Sequence, residues 1–450
     1  MFRRFLVFWM LPLVFLAAAP RPAGAAATAR PACRVCGMYI DQNQRTAGEL
    51  VLKDGTKLST CGVACLLRVV QDKGGPDAFT SIQVRDWESG QLLDADQATY
   101  VIGSRIIPDM LPGLIAFKDQ QAAKAFAERE GGKLLDFTQA LNSISPMGMT
   151  MPTRITAAVL PPKGALGVGV SAMRMEMDDV VEGTSEIEPE DFVRRPGQMM
   201  GPKKMVVDSE MLMASYGLRD DLTAGLTATN FHKKMESYTT GGMAVQDTEN
   251  NGPGDLGLTL RYNFWRDTYF SRFVTLLGGV TLPTGDFDRD LIASPSLQLG
   301  TGAFTFTGGL LSSFREGPFW LHTLASYTHK LENSDDYRFG DEFRLGGALH
   351  YTPTYNLMLG LELDGVWQAK DEYLDQDVGK TGGFRSTLSA VADWKFLTAL
   401  GGNFTLRPSA GMALYEDLNH STTGMVEGVQ MGDGWFVSLG INFQRRVVAY

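Results

Sequence analysis

Asp255-Leu256-Gly257-Leu258-Thr259-Leu260-Arg261-Tyr262-Asn263-Phe264 decides the architecture of this chain. Its even positions are all apolar, and its odd positions hold Asp, Gly, Thr, Arg and Asn. Strict alternation of this kind is the period of a β-strand with two unlike faces. A soluble strand hides its apolar face in a core. A transmembrane barrel strand turns that face to lipid and the polar face to a lumen. Runs of the same texture recur at 222–228, 356–367, 385–396 and 434–443. Aromatic residues sit near the run ends, as in an interfacial girdle: Tyr216, Phe264, Trp265, Trp320, Tyr351, Trp367, Trp394, Phe396 and Trp435.

The connections sharpen the reading. Tight ones at 219–221, 265–271, 315–318, 352–355 and 397–401 alternate with long polar ones near 180–203, 237–253, 284–295, 331–341, 369–382 and 416–433. Short turns on one side and long loops on the other mark an outer-membrane barrel. Twelve antiparallel strands are expected, near 165–179, 204–218, 222–235, 255–265, 272–283, 296–314, 319–330, 342–351, 356–368, 383–396, 401–415 and 434–447. An even count places both barrel ends on the short-turn, periplasmic side.

Other features fit an exported chain. Arg3 and Arg4 precede the apolar run 5–19, and small residues follow at 23–25 and 27–29, so residues 1–29 read as a secretory signal peptide. No later segment offers about 20 uninterrupted apolar residues. The 450 residues carry a net charge of −10, which argues against nucleic acid as a partner. No Gly-rich phosphate loop, catalytic triad or paired-carboxylate site is visible, so no enzyme is expected.

All four cysteines lie in one stretch, Cys33-x-x-Cys36 and Cys61-x-x-x-Cys65. Two disulfides, a four-thiolate zinc site, a soft Cu(I) site and a redox CxxC all remain open on spacing alone. The strand-then-helix context that a thioredoxin-like CxxC needs is missing before Cys33. A strand at 48–52 entering an Asp54-Gly55 turn, a partner strand up to Cys61, and helices at 61–70 and 120–129 outline a small α+β domain over 30–145.

Methionine is the compositional anomaly. There are 21, and thirteen lie between Met147 and Met243. Met147, Met149 and Met151 alternate in a linker, 146–163, ahead of a barrel domain at 164–450. Strand parity turns Met173, Met175, Met177, Met205, Met211, Met213, Met235 and Met358 inward, as it does His322 and His350. Closely spaced thioethers suit Cu(I) and could pass it along a relay, whereas flexible filling of a narrow lumen is the structural alternative.

Two stretches resemble known families. Cys33-Arg34-Val35-Cys36-Gly37-Met38, the Asp54-Gly55 hairpin, Tyr100-Val101-Ile102-Gly103-Ser104, Pro108-Asp109-Met110 and the 116–133 segment resemble the NosL-like copper-binding accessory proteins of nitrous oxide reductase maturation. The resemblance implies a domain that binds Cu(I) and delivers it to a periplasmic copper protein. Cys36, Met38 and Met110 are then the first candidate ligands, with Cys33, Cys61 and Cys65 as further candidates. Such proteins are often lipoproteins, but Arg30-Pro31-Ala32 before Cys33 is no lipoprotein signature. Gly254-Asp255-Leu256-Gly257-Leu258, Gly279-Val280-Thr281-Leu282-Pro283-Thr284-Gly285 and the 295–302 segment resemble the outer-membrane proteins named for the meta-pathway of phenol degradation. That resemblance implies a barrel passing small molecules.

The combined expectation is a multidomain copper-handling protein in the outer membrane of a Gram-negative bacterium. It joins a small α+β periplasmic domain to an all-β transmembrane barrel, with lipid, copper and periplasmic copper proteins as partners. The rivals are a barrel-anchored copper chaperone without transport and a channel for small hydrophobic compounds.

Overall fold

The computed structural model describes residues 31–446 apart from 34, 37, 74, 110–112, 145–153, 162, 197, 199, 240–241, 268–270, 317, 355–356, 400–401 and 422–427. The expected signal peptide, Met110 and the linker methionines Met147, Met149 and Met151 therefore lie outside the described residues.

In the N-terminal domain, β1 (Gly48–Leu52) and β2 (Lys57–Thr60) form the expected hairpin, with Gly55 at φ 86° in its turn. After α1 (Val63–Asp72), β3 (Phe79–Arg85) and β4 (Leu92–Asp94) complete a sheet of order β2-β1-β3-β4. A second sheet of order β6-β5-β7 combines β5 (Thr99–Ile102), β6 (Leu114–Phe117) and β7 (Lys133–Leu135). Its central strands are apolar on both faces. Tyr100, Ile102, Leu114 and Ala116 pack with Leu66, Leu67 and Val70 of α1. Val101, Ile115 and Phe117 face Phe126 of α2 (Gln120–Glu130). Helix α2 starts on Asp119, whose carboxylate accepts from the N–H groups of Gln121 and Ala122. A capping box of Asp136 and Gln139 opens α3 (Phe137–Ser143).

From residue 165 the chain is a closed antiparallel barrel of 12 strands. The first is β8 (Ala165–Met177), after which β9 (Val180–Glu182), β10 (Ser185–Ile187) and the short α4 (Pro189–Val193) form a long loop. The wall continues with β11 (Gly201–Arg219) and β12 (Leu222–Thr239), and β13 (Ala244–Pro253) is a hairpin partner of β12. Then come β14 (Leu256–Arg266), β15 (Arg272–Leu282), β16 (Thr305–Glu316) and β17 (Phe319–Lys330). After β18 (Tyr337–Arg338) the wall resumes with β19 (Glu342–Thr354) and β20 (Leu357–Gln368). The small β21 (Glu372–Tyr373) and β22 (Gln376–Asp377) precede β23 (Gly383–Ala399), β24 (Gly402–Leu418), β25 (Gln430–Met431) and the last strand, β26 (Trp435–Arg446). Strand β8 pairs with β26 on one side and β11 on the other, and β11 pairs with β12, which closes the ring.

The deciding stretch behaves as its alternation requires. Leu258, Leu260, Tyr262 and Phe264 are exposed on the outer wall, while Arg261 and Asn263 are buried inside. Two details differ from expectation. The strand expected at 296–314 starts only at Thr305, because Pro295 opens a short 3-10 turn and 298–304 continue as loop. The polar segment expected as a loop at 237–253 is mostly strand, because β12 outruns β14 and its free backbone groups pair with β13.

Leu361, at the middle of β20, is 56% exposed on the outer wall. Leu361→Arg should lower barrel stability in lipid vesicles by about 2–4 kcal/mol, measured as a shift in the denaturant unfolding transition. An unshifted transition would mean that this face does not meet hydrocarbon.

Candidate metal centre

Cys33 and Cys36 lie on a turn closed by the Cys33 N–H donating to Met38 O (2.8 Å) and by an antiparallel bridge between Ala32 and Tyr39. Cys61 and Cys65 come from the junction of β2 with α1. Strand β2 ends at Thr60, Gly62 turns the chain, and Cys65 falls one helical turn after Cys61. The Thr46 hydroxyl donates to Cys61 O (2.9 Å) and holds this junction against the chain before β1. The Asp109 carboxylate packs directly against Gly62, where a Cβ would lie 1.2 Å from Oδ2 and force that side chain to move.

The four sulfur atoms lie within 4.8 Å of one another, all buried, and none is in a disulfide. Cys36 Sγ is 3.3 Å from Cys61 Sγ, and Cys61 Sγ is 3.6 Å from Cys65 Sγ. Four thiolates around a tetrahedral ion at about 2.3 Å stand about 3.8 Å apart, so the donor set fits a soft or borderline metal ion. Among the described residues this is the group of three or more Cys, His, Asp or Glu donors that meets that spacing. Met38 packs half-buried against the cluster with Val35 and Ile40.

The four thiols shift one another in opposite directions. Hydrogen bonds from the neighbouring thiols, Cys36 foremost, hold the Cys33 thiol far below the usual range. The reciprocal bonds, with Cys33 first and Cys36 next, push Cys61 and Cys65 above it, and burial adds to both. Cys36 is also held below the usual range, so the cluster's negative charge is favoured on the Cys33–Cys36 side while Cys61 and Cys65 hold their protons more tightly.

The sequence named all four cysteines but ranked Cys33, Cys61 and Cys65 behind the methionines. CxxxC is loose as a metal spacing, and although a helix from Cys61 was expected, only the fold brings its two sulfurs against those of Cys33 and Cys36. The strand methionines divide into two groups. Met177, Met205 and Met235 stand in register across β8, β11 and β12. Met205 and Met235 are buried, Met175 and Met177 pack with them, and Leu291 and Leu297 of the β15–β16 loop cover the group. Met173 is opposite Ser209, and Met211 and Met213 are opposite Ser171 and Gly169 further along the wall, outside that cluster. Met358 is buried beside Val391.

No sequence signal pointed to what fills the lumen. Part of the segment expected as a plain linker runs inside the barrel. The Arg154 N–H donates to Glu362 Oε2 (2.8 Å), Ala158 N–H to Ser313 Oγ (3.0 Å), and the Thr275 hydroxyl to Ala158 O (2.7 Å). Ile155 and Ala158 are buried among the inward Phe273, Leu311, Trp320, Leu324 and Ala348.

With this geometry in hand, comparison with known proteins is direct. Residues 24–144 match the NosL family model, and residues 210–418 match the family described as "Putative MetA-pathway of phenol degradation". The copper-binding lipoprotein NosL of Stutzerimonas stutzeri is 33% identical over 115 residues, covering 24% of this chain and 60% of that protein. The chain therefore spans about 60% of the length of the curated relative it matches. A crystal structure of an outer-membrane channel from Pseudomonas putida F1 is 14% identical, with 65% of this chain and 99% of that one covered at a TM-score of 0.48. The copper chaperone NosL from Shewanella denitrificans is 25% identical, with 27% of this chain and 96% of that one covered at a TM-score of 0.23. The chain thus joins a domain matching the NosL model to a closed 12-strand antiparallel barrel, residues 210–418 of which match the second family model.

Metal binding at the cluster must displace the protons of Cys61 and Cys65, so apparent affinity should rise with pH through the neutral and alkaline range. Chelator-competition titrations at stepped pH check this, and a pH-independent affinity would count against thiolate ligation.

Proposed function

We propose that this protein handles copper at the outer membrane. Its N-terminal domain binds Cu(I) in the periplasm through Cys33, Cys36, Cys61 and Cys65, with Met38 as an adjacent thioether. The observation that carries this reading is the buried, disulfide-free cluster of four sulfurs, whose softness selects Cu(I) over harder ions. NosL of Stutzerimonas stutzeri, described as copper-binding, supports the same metal. Zinc fits the spacing and is the competing ion.

The barrel extends the proposal to copper transport. Ligand exchange would pass the ion from thiolates to the linker methionines Met147, Met149 and Met151, and on to Met213, Met211, Met173, Met175, Met177 and Met205 along one side of the lumen. No bond-making chemistry on a substrate is involved. A second reading, in which the barrel only anchors a copper chaperone, is favoured by the 154–159 segment held inside the lumen.

In the isolated full chain, Cys36→Ser should weaken Cu(I) at least about tenfold, which corresponds to about 1.4 kcal/mol. Competition against a Cu(I) chelator under anaerobic conditions measures it, and unchanged affinity removes Cys36 from the site. Liposome flux of Cu(I) tests the extension. Replacement of Met173, Met175 and Met177 by Leu should slow flux if thioethers carry the ion, whereas equal flux, or none from the unaltered protein, leaves the anchor reading.

A further inference from the structure

The lumen holds a second group of metal-type donors that owes nothing to sulfur. His322 on β17, His350 on β19 and Glu362 on β20 stand on three consecutive wall strands, and all three are fully buried. In the register His322 is opposite Ala348, which is in turn opposite Glu362, while Trp320 is opposite His350. The two imidazoles therefore meet diagonally, with ring centroids 4.9 Å apart and planes at 61°. His350 Nε2 is 3.6 Å from Glu362 Oε1. The space for His350 comes from Gly360, where a Cβ would lie 2.5 Å from its Cδ2 and 2.9 Å from its Nε2.

Three ring nitrogens here, His322 Nε2 and both nitrogens of His350, have no hydrogen-bond partner among the described residues. Buried polar atoms are nearly always paired, and such an orphan needs a reason. The remaining donors are held in orientation. His322 Nδ1 is 2.7 Å from Ser313 Oγ, and its ring stacks on Trp320 at 5.6 Å and 5°. That fixes the ring with Nε2 as its available nitrogen. Glu362 is held in the same way, because its Oε2 accepts from the Arg154 N–H while its Oε1 lies toward His350. Ser313 in turn accepts from Ala158 N–H, so the segment leading from the N-terminal domain supports both the carboxylate and an imidazole.

We propose that His322, His350 and Glu362 form a second metal site, inside the barrel, for a late first-row divalent cation of the Cu(II) or Zn(II) type. Two neutral imidazoles and a carboxylate are a borderline donor set that suits these ions, in contrast to the thiolates and thioethers that select Cu(I). The trio is more open than the cysteine cluster, whose donors all lie within 4.8 Å of one another. Loading it draws the Glu362 carboxylate and the His322 ring toward His350. The site rests on lumen geometry alone and does not depend on the Cu(I) reading of the cysteines.

The test uses the full-length protein in detergent with Cys33→Ser, Cys36→Ser, Cys61→Ser and Cys65→Ser, so that the thiolates are absent. Cu(II) is the probe, read by equilibrium titration and by electron paramagnetic resonance. The expected result is one Cu(II) per chain with hyperfine coupling to two imidazole nitrogens. His322→Ala and His350→Ala should each remove one nitrogen and weaken binding at least about tenfold, and Glu362→Gln should weaken it with both nitrogens kept. His329→Ala should change nothing. Heat-modifiable gel migration establishes that each barrel is folded, and His350→Gln, closer in volume, replaces His350→Ala if that variant misfolds. No bound Cu(II), or an unchanged nitrogen pattern in the two histidine variants, overturns the site. Either failure leaves the cysteine reading untouched, because the thiolates take no part in the measurement.

Discussion

Closure of the barrel by backbone hydrogen bonds is the constraint on which the rest depends. In hydrocarbon an unpaired N–H or C=O has no water to turn to, so a sheet can cross only if it has no edges. Here the first wall strand, β8, meets the last, β26, along twelve residue pairs from Trp435↔Glu176 to Arg446↔Ala165. Once that seam exists, side-chain alternation must separate lipid from lumen on every strand, and each residue's parity becomes a statement about its surroundings. The methionine rows, the buried histidines and the lumen ion pairs all follow from it.

Closure also sets what a buried charge can do. Charges on inward positions must be paired within a confined space. Arg407 meets Asp393 through two contacts of 2.5 Å, and Arg344 meets Asp364 at 2.8 and 2.5 Å. Such bidentate pairs satisfy both partners at once. Asp364 also takes Arg154 Nε at 3.4 Å, so the segment inside the lumen is tied to the same network. That segment is held by backbone groups as well as by packing. It therefore belongs to the barrel interior as much as the wall does, although its sequence carries no strand period.

Much of this was legible in the sequence because each signal is local. The alternation of 255–264 specified an outer and an inner face, and short and long connections gave the strand count. The Asp54-Gly55 turn and the closing Gly131 of α2 carry their conformations in their residue types. The four cysteines were legible as a set for the same reason. What was not legible arises from contacts distant in sequence. Ile155 lies beside Gly346, and Leu291 and Leu297 come down on Met205 and Met235. No period encodes such meetings. The strand methionines show the boundary well: parity turned them inward, but only the register shows that Met177, Met205 and Met235 form one row while Met211 and Met213 stand apart.

The two donor groups differ in a way that follows from their compartments of the fold. The cysteines sit in the small N-terminal domain, on a turn and a helix start, where main-chain geometry brings four buried sulfurs together. The histidines sit on rigid strands whose spacing is fixed by the ladder, so their approach is diagonal and looser. A turn can close around an ion, whereas a wall strand cannot move without breaking the seam that keeps the barrel in lipid. The cysteine cluster can therefore tighten around an ion in a way that the strand-borne group cannot. Weaker, exchangeable contacts are what a lumen wall can offer an ion, whether it passes through or is held there.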